Sequence, residues 1–274
     1  MNASVGVSIF PNVQLLANRV QRSAGMRLMP AIEANTKRYY PGAALPQTEW
    51  DAAGDELSIE SGTHRFLKSP YEQVGIVKIG TAHTAELLEV VLHNAGSAHP
   101  DREKERDLTL ALEKHISRLF FKDDGCLYCH GVIAKKPRLE TVTVDSNTGL
   151  SPGMHLDSWD EKAARAEETR IRLNVNLGPD PRYFLFFGKN IVHIQNAVND
   201  GSFVPEGQNT LYYQYLARHR AAPVFRIKVM PGEAYLAATD CIIHDASTLD
   251  STADVYTLQV RGNLNSEAPG WRFA

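Results

Sequence analysis

Cysteine is scarce in this chain: 274 residues carry three, Cys126, Cys129 and Cys241. A chain of this length buries a substantial core without covalent staples, and 43% hydrophobic with 22% charged residues is ordinary for a globular protein. No apolar run approaches the roughly 20 residues of a membrane span. An excess of charge is missing too: a net charge of −3 gives no reason to expect nucleic acid or a membrane surface as partner. The start, Met-Asn-Ala-Ser-Val-Gly-Val-Ser-Ile-Phe, lacks the basic region and long apolar stretch of a secretory signal. Repeats, low-complexity stretches and Ser/Gly linkers are absent as well, which favours one domain. These absences predict a cytoplasmic protein with reduced thiols that acts on a small molecule.

Two of the cysteines fall in Cys126-Leu127-Tyr128-Cys129-His130. The string reads literally as a c-type heme attachment motif. Heme attachment of that kind belongs to exported proteins. A redox pair would sit in a strand-helix-strand pattern, and a zinc site would need two further Cys or His ligands at sensible spacing. None of these contexts is visible, so the two cysteines read as incidental residues entering a strand after Asp123-Asp124-Gly125.

The first half of the sequence leans helical. Val13 to Arg22 is a short amphipathic candidate. Thr81 to Ala95 carries an apolar stripe of Leu87, Leu88, Val91 and Leu92, with Gly96 as a stop. Asp101 to Lys122 is the longest candidate, with Leu108, Leu112, Ile116, Leu119 and Phe120 on one side and Asp101 as N-cap. After Gly125 the period changes to two. Leu139 to Val144, within 131–145, alternates; then come strand candidates at His155, Arg170 to Leu177, Tyr183 to Phe187, Val224 to Met230, Glu233 to Ala238, Cys241 to His244 and Val255 to Gly262. Many short strands between turns predict a sandwich or barrel, with the helices covering one sheet. The expected organisation is a single domain: a helix-rich part over 1–124 packed on a β core over 125–265.

His155-Leu156-Asp157 carries the chemistry. In a strand, residues i and i+2 share a face, so an imidazole and a carboxylate would aim at one point. His244, from a distant strand, would complete two nitrogens and one carboxylate. Such a set occupies one face of an octahedron and suits non-heme Fe(II). A His-x-Asp string is weak alone, and the chain holds a second, His99-Pro100-Asp101. Proline excludes that one from a central strand. The His155 string instead follows the turn signal Ser151-Pro152-Gly153 and opens the strand-rich half.

In this pattern the chain resembles the Fe(II)/2-oxoglutarate-dependent oxygenases. The resemblance covers roughly 125–262. It rests on His155-Leu156-Asp157, on His244 at the end of Cys241-Ile242-Ile243-His244 after Pro231-Gly232-Glu233-Ala234-Tyr235-Leu236, and on Arg261. It implies a double-stranded β-helix of the jelly-roll, cupin-like type, with flanking helices and a metal held by His155, Asp157 and His244. It further implies 2-oxoglutarate as co-substrate with O₂, and an Arg261 that binds the distal carboxylate with its planar fork. Arg272 is the one other basic residue after His244. The implied activity is a dioxygenase that hydroxylates or desaturates a small polar metabolite, such as an amino acid or a natural-product intermediate. Retention of Asp157 favours those outcomes over halogenation, which needs an open position there.

Arg172 and Asn174 alternate with apolar neighbours, on either a solvated face or the polar wall of the cavity. Trp159 is a candidate wall for the substrate, whereas His130 and His193 lack partners at ligand spacing. A cupin-like metal enzyme or binding protein that does not use 2-oxoglutarate stays open as the alternative, as does a jelly-roll binding module without metal.

Overall fold

A computed structural model describes residues 5–14, 16–62, 70–158, 170–205 and 210–265. The chain opens with β1 (Gly6–Ile9), β2 (Val20–Ser23), β3 (Met26–Leu28), α1 (Ala31–Lys37), β4 (Tyr39–Pro46), β5 (Trp50–Ala52), β6 (Ile59–Ser61) and β7 (Gln73–Lys78). Two long helices follow, α2 (Thr81–Gly96) and α3 (Arg102–Phe120). The second half runs through β8 (Tyr128–Lys135), β9 (Ser151–Gly153), β10 (Ile171–Gly178) and β11 (Arg182–Asn190), then α4 (Ile191–Asn199) and α5 (Leu211–Arg218). It closes with β12 (Val224–Val229), β13 (Glu233–Ala237), β14 (Ile242–Ser247) and β15 (Val255–Gly262). No described helix is long and apolar enough to cross a membrane.

The strand order shows how the core closes. One sheet runs β6-β1-β7-β13-β10-β15-β8 and a second runs β14-β11-β12-β2-β5. From β8 onward the chain crosses repeatedly between them. β8, β10, β13 and β15 lie in the first sheet; β11, β12 and β14 lie in the second, where His155 adds a bridge to His244. Antiparallel strands that alternate between two facing sheets in this order form a double-stranded β-helix, as expected. The N-terminal strands lengthen both sheets: β7 pairs with β13, and β2 with β12.

Periodicity explains the layers. In β10, Ile171, Leu173, Val175 and Leu177 are buried outward, and α2 lies against this strand. Arg172 and Asn174, on the alternate face, look into the space between the sheets. Helix α3 buries Leu112, Ile116 and Phe120, with Leu108 and Leu119 at the margin. Its N-cap is Asp101, which accepts from the Lys104 N–H at 3.0 Å.

Three expectations fail, each for a physical reason. Val13 to Arg22 is not a helix. Asn18 turns with φ 57°, and Arg19 is buried in a bidentate pair with Glu233, at 2.7 and 3.0 Å. The pair ties the segment to β13 of the first sheet while β2 pairs with β12 in the second, and together they override a marginal 3.6-residue pattern. Leu139 to Val144 is not a strand either; β8 ends at Lys135. The amides of Val142 and Thr143 donate instead to the Asp245 side chain, at 3.0 and 3.3 Å. The N-terminal part is helix-rich only over 81–120; among the described residues before it lie seven strands and the short α1.

Candidate metal centre

His155 and His244 are joined through their backbones. His155 N–H donates to the His244 carbonyl at 2.9 Å, and His244 N–H donates back at 2.8 Å. This isolated antiparallel bridge puts the two rings side by side, with centroids 4.7 Å apart. The Asp157 N–H is tied to the Thr239 carbonyl at 3.0 Å, which turns its carboxylate back toward the rings. Asp157 Oδ1 lies 3.7 Å from His155 Nε2 and 3.9 Å from His244 Nε2.

The donor set fits a metal. Each Nδ1 meets a backbone carbonyl: Gly153 O at 2.8 Å for His155, and Ile242 O at 3.0 Å for His244. A carbonyl only accepts, so each Nδ1 carries a proton and each Nε2 is the atom presented to the site. Two ligands each about 2.1 Å from one ion can stand up to about 4.2 Å apart, and both distances from Asp157 Oδ1 fall inside that span. Asp157 Oδ2 is engaged by Arg172 Nη2 at 2.5 Å. Arg172 is braced in turn by Gln259, whose amide oxygen, oriented toward the guanidinium, accepts from Nε at 2.7 Å and Nη1 at 3.1 Å. One carboxylate oxygen is thus left for the ion.

Gly153 shapes this corner. Its φ of 69° suits glycine, and a Cβ there would lie 2.5 Å from the Ala44 carbonyl oxygen. The sequence reads Ser151-Pro152-Gly153 as a turn. In the structure it is the short strand β9, parallel to β4, and its last carbonyl orients His155.

Burial works to lower the pKa of both rings, with different outcomes. The nearby carboxylates of Asp157 and Asp245 raise His155 to about 10. His244 falls to about 3, because burial and the His155 charge outweigh the carboxylates. Burial works to raise the Asp157 carboxyl, but the two histidines and Arg172 hold it well below the usual range.

A cavity of about 230 Å³ adjoins the triad between the sheets. Arg172, Asn174, Arg182, Tyr235 and Asp245 help to line it, so Arg172 and Asn174 lie on a cavity wall rather than a solvated face. Sequence reasoning missed Arg182 and Asp245. Arg182 opens β11, is 4% exposed, and donates from Nη1 to Asn174 Oδ1 at 3.0 Å; its Nε has no partner among the described residues. The available signal was a lone charge heading the apolar run Tyr183-Phe184-Leu185-Phe186-Phe187. Asp245 is buried, and its Oδ2 lies 3.5 Å from His155 Nδ1 without a hydrogen bond. Arg261, the expected carboxylate anchor, does not line this cavity. It is the cross-strand neighbour of Arg172 and pairs with Asp240. Trp159 and Arg272 lie outside the described residues.

The remaining singled-out residues lie elsewhere. His130 is exposed on β8, edge-on to Tyr128, and His193 is half-buried in α4. Cys126 is exposed, while burial raises the half-buried Cys129 thiol to about 11, so it is a thiol rather than a thiolate at neutral pH.

No family model and no curated protein matches the chain. Solved structures that match include those of the Kdo hydroxylase KdoO, described as a non-heme Fe(II) α-ketoglutarate-dependent dioxygenase. The cobalt(II) complex shares 12% identity at a TM-score of 0.32, covering 70% of this chain and 80% of that one. The apo form shares 14% at 0.35, covering 70% and 79%. The complex with α-ketoglutarate and Fe(III) shares 15% at 0.29, covering 69% and 70%. Likeness at this level settles no activity; the chain's own residues must carry the functional reading.

Proposed function

We propose that the chain is a single-domain Fe(II)/2-oxoglutarate-dependent oxygenase that hydroxylates or desaturates a small polar metabolite. One observation carries the reading. Two histidines with fixed Nδ1 protons and one half-engaged carboxylate converge beside a cavity lined by a buried arginine. His155, Asp157 and His244 would hold the iron. Iron held there with 2-oxoglutarate would supply oxidative chemistry: O₂ is consumed, 2-oxoglutarate becomes succinate and CO₂, and the second oxygen atom enters the substrate in hydroxylation or leaves as water with two substrate hydrogens in desaturation.

The protein's part is orientation and exclusion of water. Gly153 and Ile242 fix the imidazole tautomers. Arg172 keeps Asp157 from binding through both oxygens. Arg182 is the cation we assign to the distal carboxylate of 2-oxoglutarate, in place of Arg261. Its guanidinium is desolvated, and a carboxylate brought beside it gains a charge-assisted, forked contact. Asn174 and Tyr235 share that end of the cavity. A cupin-like protein without co-substrate has no need of this cation.

The test is an anaerobic titration of Fe(II) protein with 2-oxoglutarate, followed by the visible absorption of the chelate, then succinate formation on adding air. Binding of Fe(II) without chelate absorption or succinate would overturn the co-substrate. Failure to bind Fe(II) would overturn the centre itself.

A further inference from the structure

One cation on the wall of the cavity beside the triad has no partner. Lys135 lies on the edge strand β8, opposite Val255 of β15, and lines the cavity together with Ile133 on the same face. Arg172 on the same wall pairs with Asp157, and Arg182 donates to Asn174. Lys135 makes no hydrogen bond or ion pair among the described residues. Its amine is half-buried: burial lowers its pKa, Asp245 opposes this and Arg182 adds to it.

The exposure of the lining shows where the cavity opens. Asn174, Arg182 and Tyr235 are buried. Apart from the Asp157–Arg172 pair, the part-exposed lining is Ile133, Lys135, Thr143 and Val144, with Val144 51% exposed. The cavity therefore opens between β8 and the segment 142–144. That segment is pinned: the Val142 N–H, the Thr143 N–H and the Thr143 hydroxyl all donate to Asp245 Oδ1, at 3.0, 3.3 and 3.3 Å. The pinning holds an apolar side chain at the same opening as an unpaired amine.

We infer that this opening selects the prime substrate: an organic acid whose carboxylate or phosphate pairs with Lys135 and whose aliphatic body lies against Ile133 and Val144. An ammonium on a flexible stem is a point charge that suits either anion. A half-desolvated amine also gains more from an anion than a surface lysine does, because water screens the pair less. Arg182 serves the co-substrate, so two cations keep two acids apart. The inference rests on the oxygenase reading for the fate of the bound acid, but not for its binding.

The test loads the protein with Zn(II), which does no redox chemistry, and with 2-oxoglutarate, then titrates it calorimetrically with hexanoate, hexyl phosphate, hexanamide and hexylammonium. At least one of the two acids should bind about tenfold or more tighter than hexanamide, and the tighter acid identifies the anionic group. Lys135→Gln should erase that preference, and Lys135→Glu should turn it toward hexylammonium. The proposal is overturned if neither acid binds, if hexanamide binds as tightly, or if either variant keeps the preference for acids. It also falls if Lys135→Gln loses 2-oxoglutarate, which would make Lys135 the co-substrate's anchor. If the wild type takes up no 2-oxoglutarate, the oxygenase reading fails instead. The same titrations on metal-free Arg182→Met protein, where Lys135 is the unpaired cation left on the described wall, then decide the anion site.

Discussion

Replacing Arg182 with Met keeps the length and apolar stem of the side chain but removes the charge from the cavity next to the proposed metal centre. Arg182 is 4% exposed, so a carboxylate bound beside it would lose nearly all its water. Breaking one side of a desolvated pair costs about 3–5 kcal/mol, and about 1.4 kcal/mol is tenfold in affinity. Arg182→Met should therefore weaken 2-oxoglutarate by about two to three and a half orders of magnitude. The lower end applies if Lys135, also on the cavity wall, shifts toward the vacated space. Arg261→Gln is the contrasting variant. Its pair with Asp240 is partly exposed, such pairs contribute about 0–1 kcal/mol, and 2-oxoglutarate affinity should change less than about threefold.

Both variants can be read in the anaerobic chelate titration, with pyruvate as the analogue that lacks the distal carboxylate. Wild type should prefer 2-oxoglutarate strongly, Arg261→Gln should keep that preference, and Arg182→Met should nearly erase it. A large loss in Arg261→Gln with none in Arg182→Met would restore the β15 arginine as anchor and refute the assignment. A loss confined to Lys135→Met would refute it in favour of β8. Thermal melts of the metal-free proteins separate this from misfolding, since loss of an incompletely partnered buried cation should not lower stability greatly.

His155→Ala and His244→Ala should each weaken Co(II) or Fe(II) binding by about a hundredfold or more, and full affinity in both would remove the centre. Asp157→Gly should retain some metal and open a position for azide, seen as a new absorption on titration; no difference from wild type would mean that Asp157 is not a ligand. His155 sits near 10 without metal, so it is cationic at pH 7 and must shed its Nε2 proton to ligate. Cobalt binding should then release about one proton, with affinity rising about tenfold per pH unit toward 10. Titration calorimetry in buffers of different ionisation enthalpy would show no release if this is wrong. The matching stability term is full below about pH 6.5 and fades as pH rises through about 10. Gly153→Ala would press a Cβ against the Ala44 carbonyl at a positive φ, which should cost about 1–3 kcal/mol and loosen metal binding. A variant with wild-type melting and affinity would contradict this.

Two strands legible in the sequence, β10 and β15, have neighbours on both sides, but the edge strand β14 is legible as well and the central strands β1 and β7 are not. Ile171 to Leu177 and Val255 to Gly262 alternate because one face packs outward and the other lines a polar interior. The fold class followed from these strands, and the triad from the spacing of His155 and Asp157. Leu139 to Val144 alternates just as well, yet its amides are taken by an Asp245 side chain, a long-range partner that no local pattern announces. Arg19 gives the same lesson: its buried partner Glu233 comes from the far end of the chain, so the segment could not be told from a short surface helix. Arg261 was the natural anchor by position alone. Only the register, which sets it opposite Arg172 and within reach of Asp240, shows it already engaged.

Why the interior tolerates so many charges follows from their order. Arg182, Asp245, His155, Asp157 and Arg172 make a series in which cations and carboxylates alternate, from the cavity wall through the metal position to the opposite brace. Each buried charge faces one of opposite sign, which offsets a desolvation cost of several kcal/mol per ion. Fe(II) and the dianion of 2-oxoglutarate cancel in charge, so loading both leaves the balance of the series unchanged apart from the proton shed by His155. Either one alone would not. Iron without co-substrate adds two positive charges between His155 and Arg172, and the co-substrate without iron adds two negative charges near Asp245. The two should therefore bind with positive coupling, a mutual gain in affinity within the usual 5–150-fold range of linked sites. Measuring 2-oxoglutarate affinity with and without a redox-inert divalent ion tests this directly: equal affinities would mean that the alternating series does not govern how the centre fills.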